Sequence, residues 1–165
     1  MTTDFIKAES GIRQLYAHFS DAVWRHDASA CENCFTEDAR WKLAGMEFIG
    51  RTDIGAAFSR LLADCERVTL ILGLPVLEVA QGTATGRIQV TELTKMVDGT
   101  SAMTIGVYYD RYVQESDRWR FQLRHFGLHY RGPIDMSAAL VECPDYGPPP
   151  GMPAPDEPTL TRRKL

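Results

Sequence analysis

The chain has 165 residues, which is enough for one domain of ordinary size and too few for two domains with separate cores. Hydrophobic residues make up 44% and charged residues 24%, a composition that is typical of globular proteins and argues against a disordered or fibrous chain. The net charge of −4 argues against nucleic-acid binding, which needs a basic surface. No apolar run is long enough to predict a membrane span.

The amino terminus, MTTDFIKAES, has no basic segment followed by an apolar one, so the sequence predicts no secretory signal. Four cysteines in such a chain are typical of free thiols in a reducing compartment. We therefore expect a cytoplasmic protein.

Apolar residues in the first part of the chain recur three and four positions apart, which predicts helices with one buried face. Asp27 is suited to cap the second of these helices, and Thr52 or Asp53 the third. Residues 40–43 alternate between polar and apolar, as a short strand does, and Gly45 suits a turn into residues 46–49. The predicted helices span residues 4–25, 28–35 and 54–66.

From residue 68 onward, β-branched and aromatic residues predict long strands separated by turns such as Gln81-Gly82 and Asp98-Gly99. The predicted strands span residues 68–74, 76–80, 83–97, 101–114 and 119–130. Helices followed by a meander of antiparallel strands indicate an α+β fold with helices on one face of the sheet, not a doubly wound parallel sheet.

Proline is concentrated at the carboxyl end, where residues 144–165 hold seven of the nine prolines. Such a segment cannot build a hydrophobic core. The sequence therefore predicts one domain over residues 1–135 and a proline-rich tail over residues 136–165.

Several motifs occur along the predicted domain in a fixed order. They are His26-Asp27 with Phe35–Trp41, Gly50-Arg51-x-x-Ile54, Gly82–Arg87, Gly106-x-Tyr108-x-Asp110-x-Tyr112, and Trp119-x-Phe121-x-x-Arg124. Across about residues 8–135 this set resembles the SnoaL-like branch of the nuclear transport factor 2-like superfamily. The resemblance implies a cone-shaped fold, in which three helices pack on a strongly curved, mostly antiparallel sheet with a ligand pocket at the open end.

Related enzymes include scytalone dehydratases, ketosteroid isomerases and polyketide cyclases, whereas nuclear transport factor 2 itself only binds protein. The resemblance also implies a homodimer. Because the fold hosts such different activities, function has to be argued from the site.

The catalytic groups of these enzymes are missing at the matching positions. The tyrosine–aspartate pair and the two histidines of scytalone dehydratases would fall on Val23, Trp24, Thr69 and Thr94. The tyrosine and the base of ketosteroid isomerases would fall on Phe19 and Leu43, and the isomerase's protonated aspartate on Tyr109 or Asp110. Neither mechanism is therefore expected here.

Glu92 is the only carboxylate on an otherwise apolar face of a predicted strand, which is the setting of a general acid or base. The alternative is that Glu92 pairs with an arginine or lies at a solvated rim. Asp110 and Arg124 should lie roughly opposite or diagonal to each other across the turn at residues 114–118, within reach of a salt bridge. Such a pair would fix the hairpin, unless Arg124 or Tyr108 orients an anionic ligand.

His125 should share the face of Trp119 and Phe121, where it either lines a pocket as an acid or base or is an ordinary core residue. The single CxxC motif, Cys31 to Cys34, lacks the second pair that a zinc site needs, so we expect it to pack in the core. We expect no metal and no cofactor.

Taken together, the sequence favours an enzyme of the lyase, isomerase or cyclase type, which would act on a hydrophobic carbonyl or polycyclic compound by general acid/base chemistry. A binding protein without catalysis, or an assembly subunit or scaffold of a larger enzyme, remains as the alternative. The catalytic candidates are Glu92, Asp110, Tyr108 and His125. The predicted pocket residues are Phe19, Val23, Trp24, Trp41, Thr69, Thr94, Arg124 and Phe126.

Overall fold

The computed structural model describes residues 3–135, and the predicted proline-rich tail lies outside the described residues. Three helices, α1 (Thr3–Arg25), α2 (Ala28–Glu32) and α3 (Arg51–Leu62), pack against one sheet. The strands are β1 (Phe35–Leu43), β2 (Met46–Ile49), β3 (Cys65–Leu72), β4 (Val76–Ala80), β5 (Thr83–Met96), β6 (Ser101–Glu115) and β7 (Arg118–Gly132). No helix within the described range is long and apolar enough to cross a membrane.

The strands form a single curved sheet in the order β2-β1-β7-β6-β5-β3. Strand β4 also pairs with β5, along residues 83–87, whereas β3 pairs with residues 90–96. Every neighbouring pair is antiparallel except β1 and β7, which run parallel. The predicted α+β class and the mostly antiparallel sheet are confirmed.

Helix α1 buries the predicted apolar stripe against the inner face of the sheet. Ile12, Phe19 and Ala22 are almost completely shielded from solvent and belong to the main hydrophobic core. Burying each large apolar side chain contributes on the order of 1.5–3 kcal/mol to folding. The spacing of these residues correctly predicted both the helix and its buried face.

Several element boundaries differ from the prediction: α2 ends at Glu32 and α3 at Leu62, both earlier than expected, and β3 already begins at Cys65. Strand β1 begins at Phe35, five residues before the predicted strand, and Glu37 and Asp38 lie within it with exposed side chains. Helix α3 begins at Arg51 and its N-cap is Gly50, which has a φ of 90° and no capping side chain. Asp27 does cap α2 as predicted, accepting a hydrogen bond of 2.9 Å from the Ala30 backbone nitrogen.

Strand β7 contains two extra residues that change which side chains face the helices. In the pairing with β6, Gln122 and His129 have no opposite residue, so each is the extra residue of a β-bulge. A one-residue shift moves every following side chain to the other face. The prediction that His125 shares the face of Phe121 is therefore wrong, since His125 lies opposite Tyr109 on the outer face.

Gly106 allows β6 and β7 to approach each other closely. A Cβ atom at this position would overlap the Phe126 ring and the Gly127 carbonyl oxygen. We expect Gly106→Ala to lower the free energy of unfolding by about 1–3 kcal/mol, the usual cost of overpacking. Gly73→Ala is the matched control, because a Cβ there meets its nearest neighbour, the Gln89 carbonyl oxygen, at 3.4 Å. Urea denaturation of both variants measures the effect, and equal stabilities would contradict this account.

Candidate functional site

A cavity of about 280 Å³ lies between the helices and the inner face of the sheet. Its wall is mostly apolar and comes from α1, α3, the turn between β1 and β2, and strands β1, β2, β3, β5, β6 and β7. The apolar and aromatic lining residues are Phe19, Val23, Trp41, Leu43, Ala44, Met46, Phe58, Leu61, Leu62, Cys65, Val68, Leu70, Val90, Met96, Tyr108, Phe126 and Leu128.

Four polar side chains interrupt this apolar wall. Glu92, Thr104 and Arg131 lie opposite one another on β5, β6 and β7, so they form one polar row across three strands. Arg131 Nη1 donates a hydrogen bond of 2.9 Å to Thr104 Oγ1 and lies 3.9 Å from Glu92 Oε1. Thr94 Oγ1 donates to Glu92 Oε1 over 3.1 Å.

The polar row lies at the solvent-accessible side of the cavity, because the side chains of Glu92 and Arg131 are 30% and 52% exposed. Glu92 therefore has an arginine partner near a solvated rim, which is the alternative that the sequence left open. A carboxylate that reaches both solvent and an apolar cavity can exchange protons with each.

Tyr108 lies deeper in the same cavity, with its ring centroid 4.9 Å from that of Phe126. Burial raises the pKa of its phenol above the usual value, so the hydroxyl keeps its proton at neutral pH. The Tyr108 hydroxyl has no hydrogen bond to any of residues 3–135, and it is therefore available to a bound molecule.

The Arg124 guanidinium lies directly beneath Tyr108. Its central carbon is 3.7 Å from the centre of the Tyr108 ring and 4.3 Å from that of Phe19, and both rings line the cavity. Arg124 Nε lies 3.4 Å from Asp110 Oδ1, and both side chains are completely buried. The predicted Asp110–Arg124 pair is confirmed, but it forms the support of the cavity floor and not its surface.

Asp110 belongs to a buried network with two tyrosines. The Tyr16 hydroxyl donates to Asp110 Oδ2 over 2.7 Å and lies 2.6 Å from the Tyr112 hydroxyl. Burial raises the pKa of Asp110 to about 6, although Arg124 and the two tyrosine hydroxyls act in the opposite direction. This network is enclosed in the core and does not line the cavity.

The structure separates the predicted site residues into two groups. Those that line the cavity are Phe19, Val23, Trp41, Thr94, Phe126, Glu92 and Tyr108. Arg124 and Asp110 lie beneath it, and His125 lies on the outer face of the sheet.

Trp24 and Thr69 also lie away from the cavity, contrary to the prediction. Val23 faces inward, and the next residue on a helix points about 100° away. Trp24 is therefore 46% exposed, with the Arg67 guanidinium 4.3 Å from its ring centre. Thr69 alternates with Val68 and Leu70, which face the cavity, and so points away from it, towards a separate groove that Trp24 also lines.

Arg131, Thr104 and Tyr16 were not among the residues predicted from the sequence. Pairing Glu92 across the predicted hairpin would have indicated Thr104. Plain alternation from Phe121 would also have indicated Arg131, because the bulges at Gln122 and His129 each shift the alternation by one residue and cancel at this position.

The CxxC cysteines lie in the core, as predicted, because Cys31 and Cys34 are both buried. Burial raises the pKa of each thiol, that of Cys34 to about 11, so neither is a reactive thiolate at neutral pH. Within residues 3–135, the structure brings together no group of three or more His, Cys, Asp or Glu side chains that would hold a metal.

The cone-like arrangement of sheet, helices and cavity corresponds to a known family. The SnoaL-like domain matches residues 4–125, which is most of the described chain. The chain belongs to this family. The resemblance inferred from the ordered motifs is thereby confirmed.

Solved structures with this SnoaL-like fold include a protein of Novosphingobium aromaticivorans assigned as a scytalone dehydratase, with a TM-score of 0.77 and 14% identity over 90% of this chain and 100% of that one. A type 2 hexachlorocyclohexane dehydrochlorinase, LinA, has a TM-score of 0.73 and 20% identity over 90% of this chain and 97% of its own. A Mycobacterium tuberculosis protein of unknown function has a TM-score of 0.67 and 24% identity over 78% of this chain and 75% of that one. At these identities the likeness establishes the fold alone. No curated protein sequence matches the chain significantly.

The raised pKa of Asp110 predicts a pH effect on stability. The folded state holds this proton below about pH 6, whereas the unfolded state takes it up only near pH 4. The Asp110 contribution to the free energy of unfolding therefore rises as pH falls from 6 towards 4, by up to about 2–3 kcal/mol.

Asp110→Asn cannot titrate, so it lacks this contribution. We expect the stability of the wild type relative to Asp110→Asn to increase between about pH 7.5 and pH 5 in urea denaturation. A difference that stays constant or shrinks over this range would show that burial does not dominate the Asp110 environment.

Proposed function

We propose that this SnoaL-like protein is an enzyme that transfers a proton within the cavity, in an elimination, isomerisation or cyclisation of a hydrophobic carbonyl or polycyclic compound. The observation that supports this proposal is the arrangement of Glu92 and Tyr108. They are a carboxylate and a phenol without a hydrogen-bond partner among the described residues, and both line one apolar cavity.

The two groups are placed to act on different atoms of one substrate. Glu92 is paired with Thr104, four residues before Tyr108 on β6, so the two backbone positions are about 13 Å apart along the strand. Both side chains reach into the space between them. A cavity near the lower end of the range for ligand pockets suits a molecule of one or two rings.

In the proposed reaction, Glu92 removes a proton from the carbon next to the substrate carbonyl. The electron pair of that C–H bond forms a C=C bond, and the carbonyl oxygen becomes an enolate oxygen. Tyr108 donates a hydrogen bond to this oxygen, which stabilises the developing charge. The enolate then re-forms the carbonyl and expels a leaving group, with the electron pair of its bond, from the β carbon. Where the enolate is conjugated with a second C=C bond, the proton held by Glu92 is instead returned to the far carbon of that system, which moves the double bond.

The structural neighbours support elimination as the first reaction to test, because a dehydratase and a dehydrochlorinase are both named for the loss of a small molecule. Their reactions do not transfer directly to this chain. Two of the four positions matched to scytalone dehydratase catalytic groups, Trp24 and Thr69, lie outside the cavity. Glu92 therefore has to supply the proton transfer here.

Hydrogen–deuterium exchange of 1-tetralone tests this proposal without knowledge of the natural substrate. Its carbon acid is adjacent to a ketone on a two-ring body. We expect the wild type in D₂O to accelerate exchange at that carbon, as measured by NMR. Glu92→Gln should slow the catalysed exchange by about 10²–10⁴-fold, because general base catalysis contributes an effect of this size. Tyr108→Phe should lower the rate as well, since it removes the donor to the enolate oxygen.

Glu78→Gln is the matched control, because Glu78 is exposed on β4 outside the cavity. Chemical shifts of 1-tetralone report binding in the same experiment. Binding with no acceleration of exchange by the wild type would contradict an enzyme of this type and would favour a binding protein.

A homodimer and a cytoplasmic location stay predictions from the sequence. A monomer at micromolar concentration in analytical ultracentrifugation would contradict the homodimer.

A further inference from the structure

The cavity carries one cationic side chain. Among the lining residues within 3–135, Arg131 is the only lysine or arginine, and it lies beside the more exposed side of an apolar space. A charged group in such a place favours a ligand with one charged end and an apolar body.

The Arg131 side chain is fixed by a hydrogen bond to Thr104 but interacts only weakly with Glu92. Its Nη1 donates to Thr104 Oγ1 over 2.9 Å, and Thr104 is itself buried, so this contact fixes the direction of the guanidinium. The 3.9 Å separation from Glu92 Oε1 exceeds hydrogen-bond distance. A half-exposed ion pair with this geometry contributes little to stability.

The carboxylate of a ligand can therefore replace Glu92 as the neighbour of Arg131 with little loss of interaction free energy. A guanidinium presents several N–H donors in one plane and binds a carboxylate through two of them. The Glu92–Arg131 contact uses none of these donors in a hydrogen bond.

We propose that the substrates of this site carry a carboxylate on an apolar body of one or two rings, and that this carboxylate binds Arg131 in place of Glu92. This inference rests on the proposed function and names its substrate class. The apolar rings would occupy the space between Trp41, Tyr108 and Phe126. Binding would also release Glu92 Oε1 from its cationic neighbour, so that it can accept the substrate proton.

Two matched probes test this inference by calorimetry. The probes are 2-naphthoate and its neutral amide, 2-naphthamide, which share the same rings. We expect the wild type to bind naphthoate about tenfold more tightly than naphthamide, a difference of about 1.4 kcal/mol, because a hydrogen bond between two charged groups is stronger than one to a neutral amide. Arg131→Gln should abolish this preference and leave naphthamide binding unchanged. Arg118→Gln removes the same charge from the exposed far end of β7 and should retain the preference.

Glu92→Gln gives the opposite result. It removes the carboxylate that competes for Arg131, so we expect naphthoate to bind more tightly to this variant than to the wild type, with naphthamide unaffected. Glu78→Gln should change neither affinity. If the Glu92–Arg131 contact only stabilised the structure, Arg131→Gln and Glu92→Gln would each bind both probes more weakly than the wild type.

Equal affinity of the wild type for the two probes would overturn the inference, and so would weaker naphthoate binding to Glu92→Gln. Failure of both probes to bind would overturn it as well. Proton exchange of 1-tetralone is measured separately. If the wild type accelerates that exchange and any of these contradicting results is also found, the proposed function is retained and only the proposed substrate class is rejected.

Discussion

The buried ion pair between Arg124 and Asp110 is the constraint on which the cavity depends. A guanidinium and a carboxylate that have lost all contact with solvent carry a desolvation penalty of several kcal/mol each. Part of that penalty is offset by their mutual attraction and by aromatic rings on the guanidinium faces. Removing either partner would leave the other charge buried and unpaired, which typically costs about 3–5 kcal/mol.

This pair also holds the cavity floor in place. The rings of Phe19 and Tyr108 contact Arg124 on one side and line the cavity on the other. Tyr16 connects the carboxylate to helix α1 by a hydrogen bond, so the helix and strands β6 and β7 meet at one polar centre. The aromatic floor is thus positioned by charges that a ligand does not touch. The polar groups that a ligand can contact at the solvent-accessible side belong to the separate row formed by Glu92, Thr104 and Arg131.

The sequence predicted the fold well because its signals are local or ordered along the chain. The apolar stripe of α1 and the turns at Gly82 and Gly99 follow from residue spacing and backbone preference. The Asp110–Arg124 pair also followed from hairpin pairing. That prediction succeeded although it ignored the bulge at Gln122, because roughly opposite and diagonal positions were both allowed.

The site was harder to predict, because side-chain direction on β7 depends on two bulges. Simple alternation from Phe121 places His125 inside, whereas the extra residue at Gln122 places Arg124 inside instead. The second bulge, at His129, restores the alternation that starts at Phe121, so Arg131 faces the cavity. Neither bulge contains a glycine or another residue that would indicate it, so the sequence pattern of β7 did not predict either bulge. Glu92 and Tyr108 were found because β5 and β6 alternate regularly over their lengths.

A crystal structure of the protein with 1-tetralone bound tests the central claim most directly. The account predicts the ketone within the cavity, with its oxygen at hydrogen-bond distance from the Tyr108 hydroxyl and the adjacent carbon facing the Glu92 carboxylate. The ligand found elsewhere, such as beside Trp24 on the outer side of α1, would contradict the claim. So would a ligand in the cavity with its oxygen turned away from Tyr108.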